Sequence, residues 1–261
     1  LNPPRPARPA QPYPSGLRTP GEIQFILAPA PPAVEAWKLV RDEARATCST
    51  ECVTENRWPV GVGNPTMSVT GSAGARGAAR PLMRLVTMSG APILRQLHLE
   101  ERLLRRTADN WCVINDGTAP PTIVMGVSGR VSELVEIEPV LRDRVPVVRR
   151  YSGGGTVIVD QGTVFVTIIC DKSAVAGLQP FPRDIMSWSG QLYGKVFDRF
   201  GEFHLRENDY AFSHRKFGGN AQSITKNRWV HHTSFLWDYD VENMDYLKIP
   251  KRAPEYRLVR F

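Results

Sequence analysis

The chain has 261 residues, of which 42% are apolar and 23% are charged. It contains no uninterrupted apolar run of about eighteen residues, which argues against a membrane-spanning helix, and its four scattered cysteines favour a reducing compartment over a disulfide framework. The net charge is +7, but residues 100–261 hold 22 basic and 20 acidic residues and so carry only +2, which argues against nucleic-acid binding.

Residues 1–92 differ in composition from the rest of the chain. Proline and alanine crowd the first 32 residues, a bias that favours polyproline II or disorder over packing. Residues 56–99 contain five arginines but no aspartate or glutamate, as is typical of an organellar transit peptide, and Met67 offers a natural start. We expect a mitochondrial protein, with plastid or cytoplasm as alternatives. A disordered basic tail without targeting function is the other interpretation of this segment.

The globular domain is predicted to span residues 93–261. Apolar residues recur at helical spacing from Ile93 to Leu104, with Glu100 and Glu101 among the intervening polar residues. A second helix is predicted from Pro182, which suits a first turn, to Phe200. Runs rich in β-branched and aromatic residues predict strands at 111–114, 122–125, 146–150, 156–159, 164–169, 203–207, 216–225 and 229–237. This order predicts an α+β domain with a mostly antiparallel sheet packed against helices.

Residues 149–156, with the sequence RRYSGGGT, are the most informative stretch. Three consecutive glycines permit backbone conformations closed to other residues and allow a ligand to approach the backbone N–H groups. The preceding arginines add positive charge that suits a phosphate or carboxylate. The letters match neither a Walker A loop nor a dinucleotide-binding glycine motif, because a strand follows. On spacing alone, an anion-binding turn and a plain β-hairpin remain equal alternatives.

Two later segments carry further candidates. Gly218 and Gly219 indicate close approach of backbone or ligand to a strand, and Lys216 beside them could present its ammonium to a phosphate, although a lone lysine is usually a solvated surface charge. His231 and His232 are adjacent on a predicted strand, so they point to opposite faces and cannot share a metal ion. Structural histidines are the ordinary alternative for both.

Taken together and in order, these segments resemble the lipoate-protein ligase A family of the biotin/lipoate ligase superfamily. The family pattern R-R-x-S-G-G-G-[AT]-V, then N-D, then R-K-x-x-G-x-A, then H-H-x-x-[FL]-L is matched at residues 149–157, 208–209, 215–221 and 231–236. The resemblance covers roughly residues 93–257 and is closest to the plant form. It implies a biotin/lipoyl ligase-like catalytic domain that lacks the C-terminal accessory domain of many bacterial members.

The resemblance implies an ATP-dependent lipoate-protein ligase. In such enzymes the lipoate carboxylate attacks the α-phosphate of ATP, and a lysine of the acceptor protein then attacks the lipoyl-adenylate. The acceptors implied are lipoyl domains of 2-oxo acid dehydrogenase complexes and the glycine-cleavage H protein. Lys216 would be the central catalytic side chain. The other residues expected to bind ATP or lipoyl-adenylate are Arg150, Ser152, Gly153, Gly154, Gly155, Thr156, Val157, Ile158, Asn208, Asp209, Gly219, Ala221 and His232.

These residue types suit the implied reaction. Both steps develop negative charge on oxygen, which fixed N–H donors and one ammonium stabilise. Mg²⁺ would share the phosphate charge, with Asp209 as a ligand, and the apolar lipoyl tail would need an apolar slot beside the glycine turn. We expect a monomer without nucleic-acid or membrane partners.

Two departures from the family pattern keep other functions open. Val159 precedes Asp160 where members commonly have histidine, and Thr233 follows the histidine pair where they commonly have glycine. A transferase that carries the acyl group on cysteine would place that cysteine after Lys216, whereas the last cysteine is Cys170. A transferase that starts from preformed lipoyl-adenylate and an inactive ligase-like binding protein remain as alternatives.

Overall fold

The computed structural model describes residues 83–213, 215–238 and 240–248. Within them lie ten strands, four α-helices and two 3-10 helices, at Asp198–Phe200 and Val241–Tyr246. The strands are β1 Met83–Ser89, β2 Asn110–Asp116, β3 Thr122–Met125, β4 Val147–Arg149, β5 Val157–Val159, β6 Thr163–Asp171, β7 Phe203–Arg206, β8 Asp209–Phe212, β9 Arg215–Ile224 and β10 Arg228–Leu236. The α-helices are α1 Ile93–Arg106, α2 Val131–Leu134, α3 Ile137–Asp143 and α4 Pro182–Phe197.

Seven strands form a large sheet in the order β1-β2-β6-β10-β9-β8-β7. All of its neighbouring pairs are antiparallel except β1 and β2, which run parallel. The predicted α+β class with a largely antiparallel sheet is therefore confirmed. None of the described helices is long and apolar enough to cross a membrane.

The central strands β6 and β10 are buried on both faces, and alternate residues pack against different helices. Helix α4 covers one face with Tyr193 and Phe197, which join Trp229 and Phe235 of β10 in an aromatic cluster. Helix α1 covers the other face, where Leu104 packs near Val230 of β10. Each large aromatic side chain buried in this way contributes on the order of 2 kcal/mol through its apolar area.

A second sheet of three short strands has the order β4-β3-β5. Strand β4 runs parallel to β3, and β5 runs antiparallel to β3 on its other side. The glycine-rich segment therefore crosses from one edge of this sheet to the other. The β-hairpin alternative is wrong, because β4 and β5 do not pair with each other.

The domain begins earlier than the sequence predicted. Strand β1 starts at Met83 and pairs with β2 along its whole length, so residues 83–92 belong to the fold and not to the N-terminal extension. Arg84, counted above among the transit-like arginines, forms an ion pair with Asp109 at 3.0 Å, and Arg95 lies in α1. The remaining transit-like or disordered assignment, at residues 1–82, lies outside the described residues.

Four further elements were not predicted: helices α2 and α3, strand β8 and the 3-10 helix Val241–Tyr246. The second long helix was predicted through Phe200, whereas α4 ends at Phe197 and a 3-10 turn follows. Helices α2 and α3 are short, with four and seven residues, and much of their surface is exposed, so helical periodicity gives them little signal.

Candidate functional site

The side chain of Arg150 fixes the backbone of the glycine turn, defined here as residues 150–156. The guanidinium of Arg150 donates to the carbonyl oxygens of Gly153 at 2.7 Å and of Gly155 at 2.8 Å, and more weakly to that of Val124 in β3 at 3.4 Å. A side chain is therefore used to fix the backbone of three consecutive residues that have none. With both glycine carbonyls accepting from Arg150, the turn is ordered with its carbonyls directed inward.

Arg150 is a buried cation that has no carboxylate partner among the described residues. Only 6% of the residue is exposed, and burial lowers the pKa of its guanidinium to about 10, so the group stays charged at neutral pH. Among the described residues its hydrogen-bond partners are all carbonyl oxygens. No described group accepts a hydrogen bond from the N–H groups of residues 153–156. A buried positive charge beside unused N–H donors is an arrangement typical of anion-binding sites.

Lys216 lies in β9 and pairs with Asp209 of β8. Its Nζ is 3.0 Å from Oδ1 of Asp209, whose side chain is almost fully buried while that of Lys216 is 29% exposed. Nζ also lies over Gly219, since a Cβ added there would approach it to 3.3 Å. The ammonium of Lys216 is thus fixed by the buried carboxylate of Asp209 and remains partly exposed to solvent.

The turn and the lysine strand meet on one face of the large sheet. A Cβ added to Gly154 would lie 3.4 Å from Cβ of Ala221 in β9, so the turn rests on that strand two residues from Gly219. Gly126, at the end of β3, supports the turn from another side, because an added Cβ there would overlap the carbonyl oxygen of Gly154. The structure therefore places the glycine turn against the strand that carries Lys216.

His232 connects the turn to helix α1. Its Nε2 lies 2.6 Å from Oγ of Ser152, and its Nδ1 lies 2.8 Å from Oε2 of Glu100. The other oxygen of Glu100 accepts from Gln96 at 2.7 Å and from Thr167 at 2.6 Å. All members of this chain are buried. The interior beneath the turn is therefore polar between β10 and α1, and the apolar slot expected for a lipoyl tail does not lie there.

His231 faces the opposite side of the sheet and belongs to a separate network. Ser189 donates to the carbonyl of Met186, Tyr210 can then donate to Ser189, and His231 Nε2 donates to the Tyr210 oxygen at 2.9 Å. Complete burial lowers the pKa of His231 to about 3, so the ring is neutral. The prediction that the two histidines face different sides is confirmed, and His231 has a structural role.

The other predicted residues lie around this centre with less specific contacts. Asn208 accepts at its carbonyl from Asn220 at 2.6 Å in the turn between β7 and β8. Val157 and Ile158 pair with β3, and the Ile158 side chain packs in the core of the small sheet. The buried Thr156 hydroxyl has no hydrogen-bond partner among the described residues. Thr156 is thus the member of this group with a free polar atom for a ligand.

Asp160, which ends the glycine motif, proves to be structural. One of its carboxylate oxygens accepts from the N–H of Gly162 and the other from the side chain of Asn243, at 2.9 Å in each case. It closes the turn into β6 and fixes the 3-10 helix near the end of the described chain. The Val159 departure from the family pattern lies in β5 and is buried in the core, next to this structural turn.

Sequence reasoning missed Gly126, Gln96 and Glu100. Gly126 follows a predicted strand directly, a position where a close backbone approach is common. Glu100 was placed on the polar side of α1, but it is fully buried. It lies seven residues after Ile93 and three after Leu97, so helical spacing assigns it to the apolar face. That conflict between residue type and position was the signal of a buried polar site.

The described residues do not form a cage for Mg²⁺. They contain no group of three or more His, Cys, Asp or Glu side chains that could hold a metal ion, and the Oδ1 atom of Asp209 is paired with Lys216. A magnesium ion at this site would therefore be held mainly by phosphate oxygens and water, as is usual for nucleotide-bound magnesium.

Residues 92–258 match the family described as the lipoyl protein ligase A/B catalytic domain. The chain belongs to this family. The lipoate ligase family assignment made from the four motifs is therefore confirmed, and the match includes the glycine turn, Asp209, Lys216 and the histidine pair. The matched region leaves out strand β1, which the structure adds to the same sheet.

Two curated relatives illustrate the range of the family. The chain is 24% identical over 189 residues to the inactive lipoate–protein ligase 2 of Plasmodium falciparum, covering 59% of this chain and 48% of that protein. It is 29% identical over 143 residues to the lipoate-protein ligase LplJ of Bacillus subtilis, covering 54% of this chain and 41% of that protein. The chain thus spans about half the length, or less, of these relatives.

Two solved structures share the fold. A lipoate-protein ligase A bound with ATP superposes with a TM-score of 0.55 at 16% identity, covering 66% of this chain and 73% of that one. A bi-partite lipoate protein ligase from Thermoplasma acidophilum, described with its E2 lipoyl domain, gives 0.55 at 16% identity, covering 66% of this chain and 68% of that one. At such identities the likeness establishes the fold alone.

Proposed function

We propose that this chain activates lipoate with ATP to lipoyl-AMP and transfers the lipoyl group to a lysine of an acceptor protein. The observation that carries the proposal is the buried guanidinium of Arg150, which has no carboxylate partner among the described residues and lies beneath a turn with unused N–H donors. Such a site is built for an anion. The family match and the solved lipoate-protein ligase A bound with ATP support ATP and lipoyl-AMP as the source of that anion.

In the first step the lipoate carboxylate attacks the α-phosphate of ATP and pyrophosphate leaves. Negative charge grows on the phosphoryl oxygens, and donors fixed before the reaction stabilise it without reorganisation. The turn amides and the Lys216 ammonium are the donors available here. The Asp209 pair keeps Lys216 oriented while its exposed end reaches the phosphate.

In the second step the acceptor lysine amine attacks the acyl carbonyl of lipoyl-AMP, and AMP leaves. The same N–H donors stabilise the oxyanion that forms on the carbonyl. Magnesium would enter with ATP as its phosphate complex, since the described residues offer no cage for it. It would supply further neutralisation of phosphate charge.

The test is lipoate-dependent release of pyrophosphate by the full chain, followed by transfer to an apo lipoyl domain. We expect Lys216→Ala to lower both rates by at least 100-fold, a size typical of a lost electrostatic contact to the transition state. Lys226→Ala is the matched control, because Lys226 is an exposed lysine in the turn between β9 and β10, and its activity should stay within about twofold of wild type. Equal activity of both variants would remove Lys216 from the mechanism.

A second candidate is a ligase-like protein without catalytic activity. The observation that favours it is the similarity to an inactive lipoate–protein ligase of Plasmodium falciparum. An outcome in which the wild-type chain binds ATP but neither releases pyrophosphate nor modifies a lipoyl domain would support this candidate. Intact transfer from preformed lipoyl-adenylate without pyrophosphate release would instead indicate a transferase.

We further propose that the acceptors are lipoyl domains of 2-oxo acid dehydrogenase complexes and the glycine-cleavage H protein, with the protein acting as a monomer in mitochondria. The relative described with its E2 lipoyl domain supports the first acceptor class. Comparing the two acceptors in the same assay tests their ranking. N-terminal sequencing of the mature protein from its source tests the location, and a mature organellar form that begins before Met67 would contradict it.

A further inference from the structure

Arg149 and Arg150 are consecutive, but their side chains bind different parts of the backbone. Arg150 is buried and donates to carbonyl oxygens of the glycine turn. Arg149 is the last residue of β4 and is exposed. Consecutive residues of extended backbone point to opposite faces, so the two guanidinium groups lie on different sides of the chain. Both arginines were expected to supply charge to an anion, whereas the structure gives them separate partners.

The partner of Arg149 is the loop that follows β3, residues 126–129, which we name the support loop. Nη1 of Arg149 lies 2.6 Å from the carbonyl oxygen of Gly129 and 2.9 Å from that of Val127. It also lies 3.4 Å from the carbonyl oxygen of Gly126. One guanidinium nitrogen thus faces three of the four carbonyl oxygens of the support loop. The loop is closed on itself, since the N–H of Gly129 donates to the Gly126 carbonyl at 3.0 Å.

The support loop contacts the glycine turn at two points. The N–H of Val127 donates to the carbonyl oxygen of Ser152 at 3.0 Å. A Cβ added to Gly126 would lie 2.2 Å from the carbonyl oxygen of Gly154, so the two backbones pack directly on each other. A displacement of the support loop would therefore move the carbonyl groups of Ser152 and Gly154.

These carbonyl contacts determine where the N–H groups of the turn point. A peptide unit is planar and trans, so each N–H points away from the carbonyl of the preceding residue. The carbonyls of Gly153 and Gly155 accept from Arg150, which orients the N–H group that follows each of them. The carbonyls of Ser152 and Gly154 contact the support loop, which orients the N–H groups of Gly153 and Gly155. The four N–H groups after Ser152 are therefore fixed alternately by Arg150 and by the support loop.

We propose that Arg149 is a positioning residue for the proposed adenylation, acting through the support loop and without touching ATP. Its guanidinium holds the support loop against the turn, and the loop directs the N–H groups of Gly153 and Gly155 toward the phosphate. Donors that are fixed before the reaction stabilise developing charge without reorganisation. The inference rests on the proposed function, because it assigns these N–H groups to the phosphate of ATP and of lipoyl-AMP.

The test measures the backbone and ligand binding separately in the full chain. Hydrogen exchange of the protein without ligand, followed by NMR, reports the N–H groups of Val127 and Gly129, which are both hydrogen-bonded. Calorimetric titration gives the Kd for ATP and for a stable acyl-sulfamate analogue of lipoyl-adenylate. We expect Arg149→Ala to speed exchange of both N–H groups and to raise both Kd values about 10-fold, as for the loss of hydrogen bonds from a partly exposed charged group.

Two further variants calibrate this effect. Arg149→Lys keeps a charged donor on a shorter side chain, so its exchange rates and Kd values should lie between those of Arg149→Ala and the wild type. Arg142→Ala is the control, because Arg142 is an exposed arginine of α3 that pairs with Asp143, and both measurements should stay within about twofold of the wild type. Thermal melting checks that each variant is folded, and Arg149→Lys carries the test if Arg149→Ala is not.

The two measurements together decide the role of Arg149. Raised Kd values with unchanged exchange would make Arg149 a direct ligand of the anion and overturn the proposal. Faster exchange with unchanged Kd values would make the contact merely structural and would overturn it as well. If the wild type binds both ligands but releases no pyrophosphate, adenylation fails while the positioning role is still supported by a parallel loss of protection and binding. If the wild type binds neither ligand, both proposals fail.

Discussion

Replacing Gly154 by alanine should disable the glycine turn, whereas the same change one residue earlier should not. Gly154 has φ of +102°, and a Cβ there would lie 2.7 Å from Nη2 of Arg150. A non-glycine residue at positive φ costs about 1–2 kcal/mol. Nη2 must also move away, although it donates to Gly153 and Gly155. Losing one hydrogen bond of a charged group costs about 1.5–3 kcal/mol.

Together these terms amount to about 3 kcal/mol against the anion-binding form of the turn. Since each 1.4 kcal/mol is tenfold in a binding constant, the Kd for ATP should rise roughly 100-fold. Gly153 is the matched control, because its added Cβ meets nothing within 4 Å and its φ lies outside the left-handed region. Gly153→Ala should change the Kd by less than about threefold.

Calorimetric titration of both full-length variants with ATP measures the difference, and thermal melting checks that each is folded. If Gly154→Ala binds ATP as tightly as Gly153→Ala, the turn does not depend on the Arg150 contact or on positive φ. If both variants lose binding equally, the turn is sensitive to any side chain, and the argument from Gly154 alone is refuted.

Three further predictions concern the buried groups. Glu100→Gln should lower the free energy of unfolding by about 1–3 kcal/mol and Tm by roughly 3–10 °C. The reason is that the new amide NH₂ group would face Gln96, Thr167 or His232, each of which donates to the carboxylate in the wild type. Glu101→Gln, on the exposed side of α1, is the control and should change Tm little. Burial lowers the pKa of His231 to about 3, so the unfolded chain binds more protons than the folded chain between pH 6.5 and pH 3. The free energy of unfolding should therefore fall by about 2 kcal/mol from pH 6.5 to pH 5. Denaturant midpoints should show this fall in the wild type and lose it in His231→Gln. Asp209→Asn should slow pyrophosphate release by about 10–100-fold without loss of the fold, because Lys216 loses its orienting carboxylate; a rate unchanged from wild type would contradict the role given to the pair.

Much of the fold follows from local patterns, because its long elements carry strong periodicity. Helix α4 has Pro182 in its first turn and an apolar face, and the long strands are rich in β-branched residues. The boundary at Ile93 was wrong because β1 looks, in composition, like the segment before it. Arg84 of β1 pairs with Asp109, which lies 25 residues later in the chain, so the sequence around Arg84 does not indicate this ion pair. The topology of the small sheet was also beyond local pattern, since β4 and β5 are three residues each.

The position of Lys216 shows why the residues of the site could be predicted from the sequence but their arrangement could not. Regular alternation along β9 would place Lys216 on the same face as Gly218, which contacts Phe235 in the core under α4. Tyr210 pairs with Gly218 and Ala211 with Lys216, so Phe217 is an extra residue in the ladder. This β-bulge reverses the alternation and turns Lys216 to the face of Gly219 and Asp209. The glycine turn lies over that same face through Ala221. The bulge is therefore what makes one site out of the two motifs, and it depends on pairing between strands, which the sequence of β9 alone does not encode.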